Sequence, residues 1–436
     1  MTGTRTRVVW VQGDGTDPLA DGNALVLMGL DTDDGKGERV ILAERGSYIK
    51  PLLIARGERI VYTSHAKDPA DVKVFVVNWD GSGLRQLASG GALAVWVEPA
   101  TGRDWVYVGT DNSSKTPGDF RTVSRFPVDK PEARELVWSK TPVSRDTFQV
   151  SADGRTAGGL FPWPHAGVAG LPNGDLRTLG EGCWTAFRDA GAGLFWYFDG
   201  SHRNVTIVDR AADRRWMVAF NQAPGFANPE VYHPRWANHP RFVAISGPYD
   251  RGGPNQVRSG GTQAEIYLGR FSPDYSRVEA WAPATDNRTG DSYPDVWIDR
   301  ARSPYRVEMA RSADKADKKP DAGPAKRPVV VEARVTMPAS IPTPRSIAPY
   351  RNALVVNLYD VVNVIDGEYR DSRILVAQWA IRDARVLDEA RQRTSGSVAR
   401  LTLERYDAHP ELEGERLIAG SGGPDLPLYY DVTSRR

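Results

Sequence analysis

The strongest constraint on this chain is an internal repeat of roughly 35 to 55 residues, the length of one four-stranded propeller blade. Its clearest copy reads PLLIARGERIVYTS, then VKVFVVNWDGSGLRQLA: strand, turn, strand, loop, strand, and a tight turn into a last strand. Val74, Val76 and Trp79 alternate with Phe75, Val77 and Asn78, the pattern of a strand covered on both faces. Asp80-Gly81 supplies the positive-φ positions that a tight hairpin needs. The unit recurs with drift. ALAVWVEPATGRDWVYVG closes with ARELVWSK, and TFQVSADGRTAGGLF opens the next copy. CWTAFRDAGAGLFWYFDG runs on into RNVTIVD and RWMVAFN, and HPRWANHPRFVAISG into AEIYLGRF and VEAWAPAT.

The two ends complete each other. The first segment holds three strands, RVVWVQ, ALVLMGL and ERVILA, and lacks an opening one; YPDVWI at 293–298 is an opening strand with no blade to follow it. Joining them leaves no sheet edge exposed. The sequence therefore predicts an all-β chain: a closed six-bladed β-propeller from Val8 to Ile298 (limits 8–300), a linker at 301–328, and a small β-rich, barrel-like domain at 329–433. The linker includes RSADKADKKPDAGPAKRP, too charged and too poor in large apolar side chains to order itself.

Composition agrees with strands and turns, with 13 Trp, 42 Gly and 31 Pro. The longest helix-compatible stretch, around Arg382–Arg393, is short and highly charged. A formal charge of +1 is not the basic footprint of a nucleic-acid binder, so no nucleic-acid partner is expected. One cysteine, Cys183, excludes an intramolecular disulfide and cysteine-built zinc sites. No apolar run approaches the ~20 residues of a transmembrane helix. Met1–Arg7 lacks the apolar core of a signal peptide.

VVNWDGSGLRQL and SADGR resemble the TolB-like propeller repeats of bacterial envelope proteins. The resemblance extends over the propeller region and is best around Arg59–Ala88. It implies the six-bladed fold and an envelope setting, so a periplasmic or secreted protein without its leader is expected ahead of a cytoplasmic one. It implies no catalytic motif, because such repeats serve scaffolds, binders and enzymes alike. In the tail, ALVVNLYDVVNVIDGEYRDSRILVAQW resembles OB-fold or netrin-like modules. That implies an interaction role through loops, with a protein among the expected partners.

In a propeller, the loops joining second to third strands share one face with the loops joining successive blades. On this map His65, His165 and His202 follow second strands and His233 begins an opening strand, so four of six histidines fall on one rim, from blades II, IV, V and VI. His239 falls on the opposite face and His409 in the tail. Around the rim lie Asp199, Arg203, Arg235, Tyr249, Asp250, Arg251, Trp163, Trp184 and Trp236; Lys50, Arg145, Asp146 and Asp295 begin other opening strands. Guanidinia grip carboxylates, indoles stack on pyranose faces, and imidazole or phenol exchanges protons.

These residues support several readings. The first is a carbohydrate-binding propeller recognising an acidic polysaccharide, with Asp199, Arg203, Trp184, Arg251, Lys50, Arg145 and Asp295 as ligand contacts. The second is a polysaccharide lyase or hydrolase using His202, His233, Tyr249 and Arg235 as catalytic groups, with Arg203, Arg235 or a metal neutralising a uronate. The third is a protein–protein assembly scaffold. A divalent metal on His65, His165, His202 and His233 is a further expectation, resting wholly on convergence because no pair has metal-motif spacing. Plainer readings stand beside them: indoles at opening strands suit blade packing, LDTDDGKGE suits a hairpin turn better than a calcium loop, and Cys183 suits apolar packing better than nucleophilic catalysis.

Overall fold

The computed structural model describes residues 1–17, 20–65, 71–112, 119–188, 193–211, 213–226, 230–249, 261–305, 328–348, 350–419 and 426–435. They fall into two compact units, 1–249 with 261–305 and 328–435. Most of the expected linker, 306–327, lies outside the described residues.

Six antiparallel sheets form the blades of the first unit. The inner strands of blades II to VI are Ile49–Ile54, Gly91–Val97, Gln149–Val150, Cys183–Arg188 and Tyr232–Trp236. Each is followed outward by the next three strands of its own blade, and blade III carries one extra short strand. Blade I is composite. The late strand Gly290–Ile298 lies innermost and pairs with Thr6–Gly13, with Val8 opposite Val296 and Gly13 opposite Gly290. The ring is thus sealed by the leftover strand, which removes the open edge.

Blades pack through apolar clusters shared by neighbours. Val8, Trp10 and Met28 of blade I meet Phe242, Ala244 and Ile266 of blade VI. At Gly109 a β-carbon would stand 2.4 Å from the Phe120 ring, so only hydrogen fits. The LDTDDGKGE turn is structural. Asp31 is buried against Arg5 at 2.7 Å and Arg7 at 2.8 Å, which hold its carboxyl far below the usual range. Arg7 also donates to Gly57 O at 2.7 Å, tying blade I to blade II.

The second unit is a barrel of five strands, Val329–Met337, Ala353–Asp366, Arg373–Arg382, Val398–Arg405 and Leu428–Asp431. The first pairs with the second, the second with the third, the third with the fifth, the fifth with the fourth, and the fourth with the first. Within this ring only the third–fifth pairing is parallel. A short helix, Asp388–Gln392, sits between third and fourth strands. This connectivity resembles the Greek-key barrel of OB-fold modules. Its core carries one polar network: Gln378 accepts from Asn357 at 3.0 Å and Tyr359 at 2.6 Å and donates to Asp431 at 2.8 Å.

Candidate functional site

The inner strands start at one end of the channel, and four of them begin with the same irregularity. Pairing registers slip by one residue between Ile49 and Leu52, Cys183 and Ala186, Tyr232 and Arg235, and at Ser292–Asp295 against Val9–Val11. Within each slip one bulky residue takes a left-handed backbone: Lys50 (φ 50°), Trp184 (φ 42°), His233 (φ 52°) and Tyr293 (φ 54°). Non-glycine residues avoid this region at a cost of roughly 1 kcal/mol or more each, and bulges of this kind re-aim side chains. In three of the four slips the next residue is proline (Pro51, Pro234, Pro294), which has no N–H to lose where the ladder is interrupted.

These four side chains line one small cavity together with Asp146 and Arg235. Lys50 Nζ donates to Leu93 O at 2.8 Å and Arg145 O at 2.7 Å, so one buried amine bridges blades II, III and the entry to IV. Burial pushes its pKa well down, and the Arg235 charge adds to that effect. Arg145 pairs with Asp21 at 2.7 Å and stands 3.6 Å from Asp146; these partners raise its pKa against the opposing effect of burial. Tyr293 donates to Asp146 at 3.3 Å. The His233 ring packs on Tyr293 at 4.0 Å and edge-on to Trp184 at 4.7 Å, and its Nδ1 stands 3.3 Å from the Ser246 hydroxyl. Arg235 and Asp295 pair at 2.7 Å, and Asp295 also accepts Leu53 N at 2.7 Å.

Behind this wall lies a buried polar layer. Tyr249, 1 % exposed, places its hydroxyl 3.2 Å from Ser292 and 3.5 Å from His233 Nδ1. Burial drives its pKa upward, which suits a fixed hydrogen-bonding group and not a base. The His202 Nδ1 contacts the Tyr232 hydroxyl and lies 3.6 Å from Glu230, with Phe198 stacked on the ring.

Several expected contacts fall elsewhere. The expected rim histidine His202 is only 1 % exposed, because its left-handed turn folds the ring inward beneath the blade. Asp199 caps its own turn, accepting the backbone N–H of Arg203 and Asn204. Arg203 is largely buried and donates to Ser201 O. His65 Nε2 is engaged by Asp21 O at 2.7 Å, whereas His165 is exposed and faces Glu181 at 3.4 Å. Among the described residues no group of three or more His, Cys, Asp or Glu side chains is arranged to hold a metal ion. The four-imidazole shell of His65, His165, His202 and His233 therefore does not form, each ring being taken up by local partners. Asp250 and Arg251 lie outside the described residues.

Of the residues the sequence singled out, Lys50, Arg145, Asp146, Trp184, His233, Arg235 and Asp295 belong to this end of the channel or its floor. Tyr293, Tyr232 and Ser292 were missed. The signal for Tyr293 was present: Lys50-Pro51, His233-Pro234 and Tyr293-Pro294 repeat at the starts of three inner strands.

No helix among the described residues is long and apolar enough to cross a membrane. No family model matches the chain, and no curated protein does. Among solved structures, TolB from Acinetobacter baumannii aligns at 14% identity and a TM-score of 0.44, covering 67% of this chain and 66% of that one. A chain of a nidogen/laminin complex aligns at 10% identity and a TM-score of 0.44, covering 67% of this chain and 98% of that one. A luciferin-regenerating enzyme aligns at 11% identity and a TM-score of 0.37, covering 55% of this chain and 87% of that one. The six blades of the present chain are established by its own strand pairings.

Proposed function

We propose that the propeller is a binding module, in an envelope or secreted setting, that takes an acidic sugar unit of a polysaccharide at the channel end built by Lys50, Trp184, His233 and Tyr293. One observation carries this reading: four bulky residues held in a strained left-handed conformation turn toward a single cavity. Trp184 and Tyr293 place aromatic rings in its wall, and a carboxylate entering it would compete with Asp295 for Arg235 and with two carbonyls for Lys50.

Lys50 gives the reading a distinctive consequence. Burial lowers its pKa, and a carboxylate arriving beside it raises that pKa again, so binding is linked to the Lys50 proton. Calorimetric titration with a glucuronate-containing oligosaccharide, in buffers of different ionisation enthalpy, tests this. Expected are one-to-one binding that varies with pH, a loss of about tenfold or more in Lys50→Met and Trp184→Leu, and no binding of the neutral sugar analogue. Equal binding of the acidic and neutral sugars, or unaffected variants of unchanged thermal stability, refutes the reading. Formation of an unsaturated product would turn the module into a lyase.

A further inference from the structure

The inner strands that begin at the small cavity end in a much larger one. Lys50, His233 and Tyr293 line the first, and Ile54, Trp236 and Trp297, further along the same strands, line the second. This second space measures about 1500 Å³ out to its solvent opening. The Arg235–Asp295 pair stands between them and forms its floor.

Two properties define what this funnel accepts. Its wall is aromatic: Trp96 and Trp297 are partly exposed at the ends of inner strands, and Trp236 is stacked on Trp196 at 3.9 Å. Trp96 is held in place by its Nε1 bond to Ala152 O at 2.9 Å and by Gly154, whose β-carbon would meet the indole at 2.7 Å. Its charge is one-sided. The charged lining residues are Arg56, Arg235 and Arg300 against Asp295 alone, three guanidinia to one carboxylate. Asp295 is already matched to Arg235. Arg56 and Arg300 are exposed at the rim, with no ion pair among the described residues. Arg56 is held at φ 58°, ψ 34°, the backbone at which its strand turns over the rim.

We propose that this end of the channel binds a small amphipathic organic anion. Its flat apolar body lies against Trp96 and Trp297, and its anionic group pairs with Arg56 and Arg300. Indole walls favour planar or acyl bodies through dispersion and burial, and unmatched guanidinia select the anion. The proposal stands apart from the acidic-sugar reading, since Trp96, Trp297, Arg56 and Arg300 line only this end, although Arg235 borders both cavities.

The test uses the full chain and three matched probes: 1-naphthoate, the uncharged 1-naphthamide and 1-naphthylmethylammonium, titrated by calorimetry and ligand-observed NMR. Naphthoate is expected to bind one-to-one, with the amide and the ammonium at least about tenfold weaker. Arg56→Ala and Arg300→Ala each weaken naphthoate about threefold, and the double variant about tenfold or more. Both arginines are exposed, so the variants keep the wild-type unfolding midpoint. Excess glucuronate leaves naphthoate bound. Equal affinity for the three probes, indifference to both arginines, displacement by glucuronate, or no binding at millimolar probe would each overturn the proposal.

Discussion

Glu265→Gln probes the seam where the ring closes. Glu265 begins the third strand of blade VI, and Asp291 lies on the closing strand of blade I. The two carboxyls are neighbours, and a web of polar donors holds both. Thr285 donates to Glu265 at 2.5 Å, Asn287 N to Glu265 at 2.9 Å, Gln12 to Asp291 at 3.0 Å and Asn287 Nδ2 to Asp291 at 2.9 Å. Burial, with the Asp291 charge beside it, raises the Glu265 pKa from 4.5 to about 7, and burial raises Asp291 as well. A carboxyl whose pKa is higher folded than unfolded supports the fold fully below its unfolded value. That support fades as pH rises through the folded value. The window is therefore pH 4.5 to about 7. At ~1.4 kcal/mol per pKa unit the interval corresponds to roughly 3 kcal/mol. Solvent reaches part of the Glu265 side chain, and screening lowers the expectation to about 1.5–2 kcal/mol. Glutamine keeps one acceptor oxygen for Asn287 N, meets the Thr285 hydroxyl with its amide N–H as that hydroxyl turns to accept, and carries no charge against Asp291. Urea unfolding at pH 5 and pH 8.5 should show Glu265→Gln close to wild type at pH 5 and about 1.5–2 kcal/mol more stable at pH 8.5. Parallel stability–pH profiles for the two proteins would refute a raised Glu265 pKa at the seam.

Two further substitutions test the packing. Gly109→Ala should cost about 1–3 kcal/mol through its clash with Phe120, and adding Phe120→Leu should restore part of the loss in thermal unfolding. Gln378→Leu strips one bond each from Asn357, Tyr359 and Asp431 inside the barrel, an expected loss of about 2–4 kcal/mol, followed by the fluorescence of neighbouring Trp379.

The blade count was legible because closure is a property of strand inventory. A segment short of one opening strand and a leftover YPDVWI can satisfy their hydrogen bonds only by meeting. The barrel was legible as strands, but its ring order needed the tertiary pairing of Leu375 with Leu428 and of Leu403 with Asp431. The site was half legible. Lys50, His233 and Arg235 could be set at one end of the channel from their place at strand starts. Depth could not be read in the same way: His202 and Tyr249 occupy rim positions in the chain and are buried in the fold.

By itself the sequence determined the periodicity, the six blades, the shared strand and the face on which most polar residues gather, because alternation and turn chemistry act over a few residues. The tertiary structure alone decided which side chains enter the channel. One-residue slips at Lys50, Trp184, His233 and Tyr293 reverse the face a strand residue presents, and such slips are set by how blades meet around the axis. The same packing left Arg56 and Arg300 unmatched at the far end, where strand patterns carry no record of which charges find partners.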